Sequence, residues 1–402
     1  MSIKTLQDLD AAGLSGRTVL LRADLNVPLE EGRITDDQRI RATLPTLDLL
    51  TGAGARVVLL SHLGRPKGEA RPEFSLAPVA RHLATLTAAP VSFVGEPAGP
   101  SVEAAVATLA DGGILVVENT RFLPGETAND PALSGAWGGM GDLFVNDAFG
   151  AAHRAHASTA GLAEAVRARG GEAVAGLLLA RELRFLGDAL ESPRRPFVAV
   201  LGGAKISGKI DVVEALLPRV DRLLIGGAMA NTFFRALGLN TGASLVEEDR
   251  VEMARELMER AGDRILLPVD CVVAAEIAET ATTRVVDRSD VGEADRIGDI
   301  GPTSAEMYAK ELRKAGTILW NGPMGVFELS PFASGTLAVA EAAASACDGG
   351  ATAVLGGGDS AAAAQEAGVV GRLTHVSTGG GASLEFLAGE ELPGVTSLSP
   401  KD

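Results

Sequence analysis

The feature that most constrains this chain is a series of eleven apolar runs spaced by helical stretches. They are too short to be core helices and too continuous to be the alternating strands of a half-exposed sheet. Near-continuous apolar runs are what strands buried on both faces require, and such strands belong to parallel sheets covered by crossover helices. Five lie in the first half: Thr18–Val27, Arg56–Arg65, Val91–Gly95, Gly113–Arg121 and Leu143–Gly150. Six lie in the second: Phe197–Lys205, Arg222–Asn231, Arg264–Ala274, Thr317–Gly325, Ala351–Ser360 and Leu373–Gly381. Their C-terminal ends differ in chemistry. The first set ends in Arg, His, Asp and Asn, the second mostly in glycine. Ligands of open parallel sheets bind outside the carboxyl ends of the strands. A cationic rim suits a small polyanion, and a glycine rim lets backbone N–H groups approach phosphates. Such a chain is expected to bring two ligands together.

The 402 residues suit two or three domains. Only 4% of the residues are aromatic and 49 are glycine, so the cores are expected to be aliphatic. A formal net charge of −16 opposes contact with a nucleic-acid backbone. No run of about 18 apolar residues is present to span a bilayer, and the N-terminus has no apolar signal segment. Cys271 and Cys347 fit no metal-type spacing and read as reduced structural thiols. The expectation is a soluble, cytoplasmic protein.

The Gly171–Leu190 stretch reads as a long helix, with Leu179, Leu183, Leu186 and Leu190 on one face. Ser192–Pro196 ends it, because each proline disfavours helix in the residue before it. The expected organisation is an N-terminal lobe over 1–170, a linking helix over 171–191, a C-terminal lobe over 192–385 and a tail over 386–402. Each lobe is expected to be a Rossmann-like, mostly parallel sheet flanked by helices.

Two glycine loops carry the strongest local chemistry. Gly203, four residues, then Gly208-Lys209 comes close to a P-loop, but Ile210 stands where the Mg²⁺-binding hydroxyl belongs. If a helix begins near Ala204, Lys205 and Lys209 share one face. In the second loop, Gly356-Gly357-Gly358-Asp359-Ser360 leads into a run of alanines. Asp359 is there either a helix N-cap or a carboxylate for phosphate-bound Mg²⁺. Gly379-Gly380-Gly381 opens a further helical stretch. Neither segment is G-x-G-x-x-G followed by a distant acid, which argues against a dinucleotide dehydrogenase. A non-catalytic two-lobe binder of a phosphorylated metabolite would not explain the second, glycine-rich rim.

At or near strand ends in the first half stand Arg22, Arg39, His62, Arg65, Arg121 and Arg154. Together with RADLNVP (Arg22–Pro28), SHLGRP (Ser61–Pro66), ENTRF (Glu118–Phe122), FVNDAFGAAHRAH (Phe144–His156), LGGAKISGKI (Leu201–Ile210), WNGPMGVFE (Trp320–Glu328), GGGDS and STGGGASLEFL (Ser377–Leu387), in that order, the chain resembles the phosphoglycerate kinase family. The resemblance implies reversible phosphoryl transfer from 1,3-bisphosphoglycerate to ADP, with Mg²⁺, by a monomer; contacts on both sides of the linking helix lead to the expectation of hinge closure, and the charge and hydropathy to that of no nucleic-acid or membrane partner. It implies phosphoglycerate contacts from Asp24, Asn26, Arg39, His62, Arg65, Arg121 and Arg154. Nucleotide contacts are implied for Lys209, Asn321, Glu328 and Gly356–Ser360, with Glu328 near the ribose, Asp359 on the metal and Gly379–Gly381 as a phosphate loop. Arg39 and Lys205 would hold the transferring group. The tail would fold back onto the N-terminal lobe. Gly208 and Gly138-Gly139 depart from the family pattern, and a looser helix start and an interrupted helix are expected there.

Overall fold

A computed structural model describes residues 3–401. The chain forms two compact units, one of Met1–Leu183 with Glu391–Asp402, the other of Arg184–Glu390.

The first unit is built on strands β1 (Thr18–Arg22), β2 (Arg56–Leu60), β3 (Val91–Val94), β4 (Ile114–Val117), β5 (Leu143–Asn146) and β6 (Glu172–Ala175). They form one parallel sheet in the order β3-β4-β2-β1-β5-β6. The direction of strand addition reverses beside β1, which places the ligand crevice of an open α/β sheet at the ends of β1, β2 and β5. The central strands are buried save for Arg56 at the start of β2, while β3 at the edge is half exposed, with Phe93 36% accessible. The sheet's aliphatic face packs on Leu47, Leu50, Val79 and Leu83 of two flanking helices.

Two expectations are corrected here. The Gly171–Leu190 stretch is not one helix: Glu172–Ala175 is the edge strand β6, and the helix runs Leu177–Glu191. Gly176 turns the chain between them, and a Cβ there would stand 2.2 Å from a carboxylate oxygen of Asp147. That carboxylate accepts the N–H groups of Leu178 and Leu179 at 2.8 and 3.1 Å, so it caps the helix. Gly138 does end a helix (Pro131–Gly138), and a Cβ on it would press within 3.0 Å of Ala165, so the bare residue lets the next helix approach. The C-terminal segment from Glu391 lies in the first unit: Lys4 donates to Ser399, Asn146 Nδ2 to the Gly394 carbonyl at 2.8 Å, and Arg167 to Ser397. Residues 386–388 remain in the Gly381–Ala388 helix of the second unit.

The second unit holds β7 (Phe197–Leu201), β8 (Arg222–Ile225), β9 (Ile265–Leu266), β10 (Asp270–Ala274), β11 (Arg284–Asp287), β12 (Arg296–Ile300), β13 (Thr317–Asn321), β14 (Thr352–Gly356) and β15 (His375–Val376). The main sheet is parallel in the order β9-β8-β7-β13-β14-β15. This is the doubly wound order, with its switch point between β7 and β13. A small antiparallel sheet, β11-β10-β12, stands apart. The Arg264–Ala274 run is therefore two strands in two sheets, separated at Leu267-Pro268-Val269, because proline has no N–H to give the ladder. Buried Tyr308 donates to the Ile225 and Leu266 carbonyls at 2.6 and 2.9 Å and so ties β8 to β9.

Candidate active site

In the first unit the crevice collects charge from four strand ends. Asp24, just past β1, accepts from Arg39 Nη1 at 3.0 Å on each carboxylate oxygen. Arg39 lies in the first turn of the Gln38–Gly52 helix with its side chain 35% exposed. Asn26 Oδ1 accepts the Gly64 N–H at 2.8 Å and fixes the loop after β2. That loop needs glycine: Gly64 has φ +62, and a Cβ would strike the Phe74 ring at 2.4 Å. Arg121 donates to the Gly64 carbonyl at 2.8 Å from Nη1, while its buried Nε has no partner among the described residues. Arg65 and Arg154 are exposed, and Arg154 Nε reaches His153 Nε2 at 3.0 Å.

These basic groups oppose one another's protonation. Burial, then Arg22, Arg121, Arg39 and His156, push the His62 imidazolium far below its usual range. Burial, then Arg22 and Arg154, bring Arg121 down to about 10, and burial brings His156 to about 4 despite Glu126. A polyanion entering here would relieve this repulsion. The structure thus brings together Asp24, Asn26, Arg39, His62 and Arg121. It differs for Arg22, which is fully buried and belongs beneath the rim rather than on it. Glu126, Ser158 and His156 around it were missed; their partners are distant in sequence and no local pattern marks them.

In the second unit the switch point is lined by Gly202-Gly203 after β7 and Gly322 after β13. Lys209 Nζ donates to the Gly202 and Asn321 carbonyls at 2.5 and 2.9 Å, across the two strand ends. Burial lowers its pKa to about 8, with Asp359 acting in the opposite sense. The expected helix from Ala204 is corrected: it begins at Ile210, so Lys205 and Lys209 lie in the turn before it and share no helical face. Glu247 holds that turn, accepting from the Ile206 and Ser207 N–H groups at 2.5 and 3.1 Å and from the Ser207 hydroxyl. Lys205 is exposed.

The GGGDS loop is also tied to this point. Asn321 Nδ2 donates to the Gly356 carbonyl at 2.8 Å, and Ser360 Oγ accepts the Gly322 N–H at 2.6 Å. Both side chains are buried, so their direct work is to hold the loop. Gly357, at φ +94, occupies the N-cap position of the Gly358–Glu366 helix, and Asp359 is exposed in its first turn. Asp359 is therefore not the cap. Gly380, at φ +52, precedes the Gly381–Ala388 helix, and the Gly379 N–H donates to Ser377 Oγ at 3.1 Å. Beside the switch point lies a cavity of 380 Å³ lined by Gly203, Phe234, Leu245, Met324, Glu328 and Asp359, among others. Its apolar wall, including Phe234 and Leu245, escaped the sequence reading because aliphatic and aromatic residues there look like any core.

A crevice lined by Arg and His on one parallel sheet and a glycine-lined switch-point cavity on another suit an α/β phosphotransferase. The phosphoglycerate kinase family description matches residues 6–390. Phosphoglycerate kinase of Chloroflexus aurantiacus is 54% identical over 404 residues, covering 99% of each chain, and that of Rubrobacter xylanophilus 52% identical over 402 residues, covering 100% of each. The structure of phosphoglycerate kinase from Coxiella burnetii superposes with a TM-score of 0.87 at 41% identity, covering 98% of both chains. That from Pyrococcus horikoshii gives 0.84 at 35% identity, with the same coverage. The chain belongs to the phosphoglycerate kinase family. Its reaction is the reversible transfer of a phosphoryl group between 1,3-bisphosphoglycerate with ADP and 3-phosphoglycerate with ATP.

Proposed function

We propose that the first unit binds phosphoglycerate through Asp24, Asn26, Arg39, His62, Arg65, Arg121 and Arg154, and that the second binds the nucleotide. The observation that carries this division is the gathering of Arg22, His62 and Arg121 at the buried ends of β1, β2 and β4, set against the glycine-lined cavity beside Lys209. Lys209 has an ammonium with three donors, two of them on backbone carbonyls, leaving one for a phosphate oxygen. Glu328, exposed in the cavity wall, is placed to accept from ribose hydroxyls. Gly356–Ser360 and Gly379–Gly381 open two helices whose N-termini favour phosphate.

The chemistry asks for no general base. A carboxylate and a diphosphate oxygen are both unprotonated nucleophiles at neutral pH, so the residues position the reactants and stabilise charge. Arg39 and Lys205 are assigned to the transferring group, since both side chains are accessible cations beside their respective sites. The donor assigned to Mg²⁺ is the exposed carboxylate of Asp359, which suits a cation that keeps waters and binds mainly to phosphates. When bound, Mg²⁺ would offset charge on the phosphate chain. In-line transfer needs reacting atoms about 3–3.5 Å apart, so turnover includes a closure that brings the two bound ligands together. We assign the enzyme to the cytoplasm as a monomer acting on small molecules alone. Its net charge of −16 disfavours nucleic acid, and no described helix is long and apolar enough to cross a membrane.

The test is a coupled assay for ATP formation from ADP and 1,3-bisphosphoglycerate, run with and without Mg²⁺. Turnover that disappears on chelation and returns with Mg²⁺ supports the reading, and Mg²⁺-independent turnover overturns the metal assignment.

A further inference from the structure

Beneath the anion crevice lies a buried chain of polar groups that no substrate can reach. Arg22, the last residue of β1, is completely inaccessible. Its Nε donates to Ser158 Oγ at 2.8 Å, its Nη1 to the Ala23 carbonyl, and its Nη2 lies 3.0 Å from His62 Nδ1. Ser158 Oγ in turn donates to Glu126 Oε1 at 2.6 Å, and the Ser158 N–H to Oε2 at 2.9 Å. Thr120 Oγ1 adds a third donor to Glu126, at 3.1 Å. Glu126 and Ser158 are both fully buried.

The direction of each bond follows from the donors. A guanidinium has only N–H groups to offer, so His62 Nδ1 must be the acceptor in its contact with Arg22. A neutral imidazole that accepts at Nδ1 carries its proton on Nε2. Protonating His62 would set an Nδ1–H against an Arg22 N–H, with Arg121, Arg39 and His156 adding repulsion, while Glu126 and Asp24 act on Arg22 and Arg121 in the opposite sense. Nε2 makes no hydrogen bond among the described residues, and is the nitrogen left to donate to an anion.

We propose that Glu126 and Ser158 are positioning residues that, through Arg22, lock His62 as an Nε2–H donor toward the phosphoglycerate anion. Glu126 supplies the counter-charge that lets Arg22 sit buried among other cations, and Ser158 sets the plane of the guanidinium. The proposal rests on the assignment of His62 to the phosphoglycerate site. Glu126→Gln replaces an acceptor-only group with one that places an NH₂ against donors. Ser158→Ala removes the Nε acceptor without changing charge.

The test is long-range ¹H–¹⁵N spectroscopy of the histidine rings, with His62→Gln identifying the His62 signal among the 5 histidines. In the native enzyme His62 should show a bare Nδ1 and protonated Nε2, unchanged from pH 5 to 8. Titration in that window, or an Nδ1–H tautomer, overturns the proposal even if neither variant folds. In E126Q and S158A the Nε2–H fraction should fall. KM for 3-phosphoglycerate should rise as the inverse of that fraction, about 5-fold where it falls to about a fifth, with KM for ATP unchanged. A general loosening of the fold would move both KM values and break this proportionality, and so would overturn the relay. If His62→Gln leaves KM for 3-phosphoglycerate unchanged while the native tautomer is as expected, the assignment of His62 to the substrate is what fails, and the positioning role falls with it.

Discussion

Lys209 makes nucleotide affinity a function of pH, and the size of the effect can be worked out. Its ammonium has two of three donors on the Gly202 and Asn321 carbonyls, at 2.5 and 2.9 Å. Burial brings its pKa down from 10.5 to about 8. A neutral amine can still bond the two carbonyls, but it has lost the charge that attracts a phosphate oxygen. A bound phosphate raises the pKa again, so by linkage the affinity is complete below pH 8 and is lost as pH rises through it. If only the ammonium binds, the apparent Kd grows as one plus ten to the power (pH − 8). That is about 2-fold at pH 8 and about 10-fold at pH 9 relative to pH 7. Titration calorimetry with ADP across pH 7 to 9.5, in the native enzyme and in Lys209→Met, measures this directly. The variant should bind more weakly at pH 7 and lose most of the slope. A native profile that is flat to pH 9 would refute the placement of the phosphate chain at Lys209, as would an equal slope in the variant.

Arg39→Ala and Lys205→Ala should each lower kcat on the order of 100-fold with smaller changes in KM, as expected of charge stabilisation in the transition state; steady-state kinetics showing only a raised KM would make the residue a ground-state binder. Asp359→Asn should keep the fold, because Gly357 rather than Asp359 holds the cap position, and should raise the Mg²⁺ concentration needed for half-maximal rate about 10-fold or more. A Mg²⁺ titration identical to that of the native enzyme would count against the metal role. Small-angle scattering should show the smallest radius of gyration when both ligands are bound, and equal radii in the free, binary and ternary samples would argue against closure.

Much of this protein is legible in its sequence because the relevant physics is local. Strands buried on both faces must be apolar throughout, so β1, β2, β5, β7, β13 and β14 announce themselves as runs. Loops that approach phosphates need glycine, so GGGDS stands out, and charged groups at buried strand ends mark the crevice where Asp24, His62 and Arg121 meet. Tertiary structure decided the rest. An apolar run looks the same whether it crosses one sheet or two, and only the placement of Pro268 between sheets divides Arg264–Ala274 into β9 and β10. The helix after Gly203 starts at Ile210 because the Glu247 carboxylate, 40 residues on from Ser207, claims the backbone N–H groups of the intervening turn. Arg22 looks like its neighbours on the rim, yet Ser158, 136 residues away, holds it below the surface. Hydrogen bonds and counter-charges of this kind join groups far apart along the chain, so the protonated nitrogen of His62 is set by the fold and not by any motif around it.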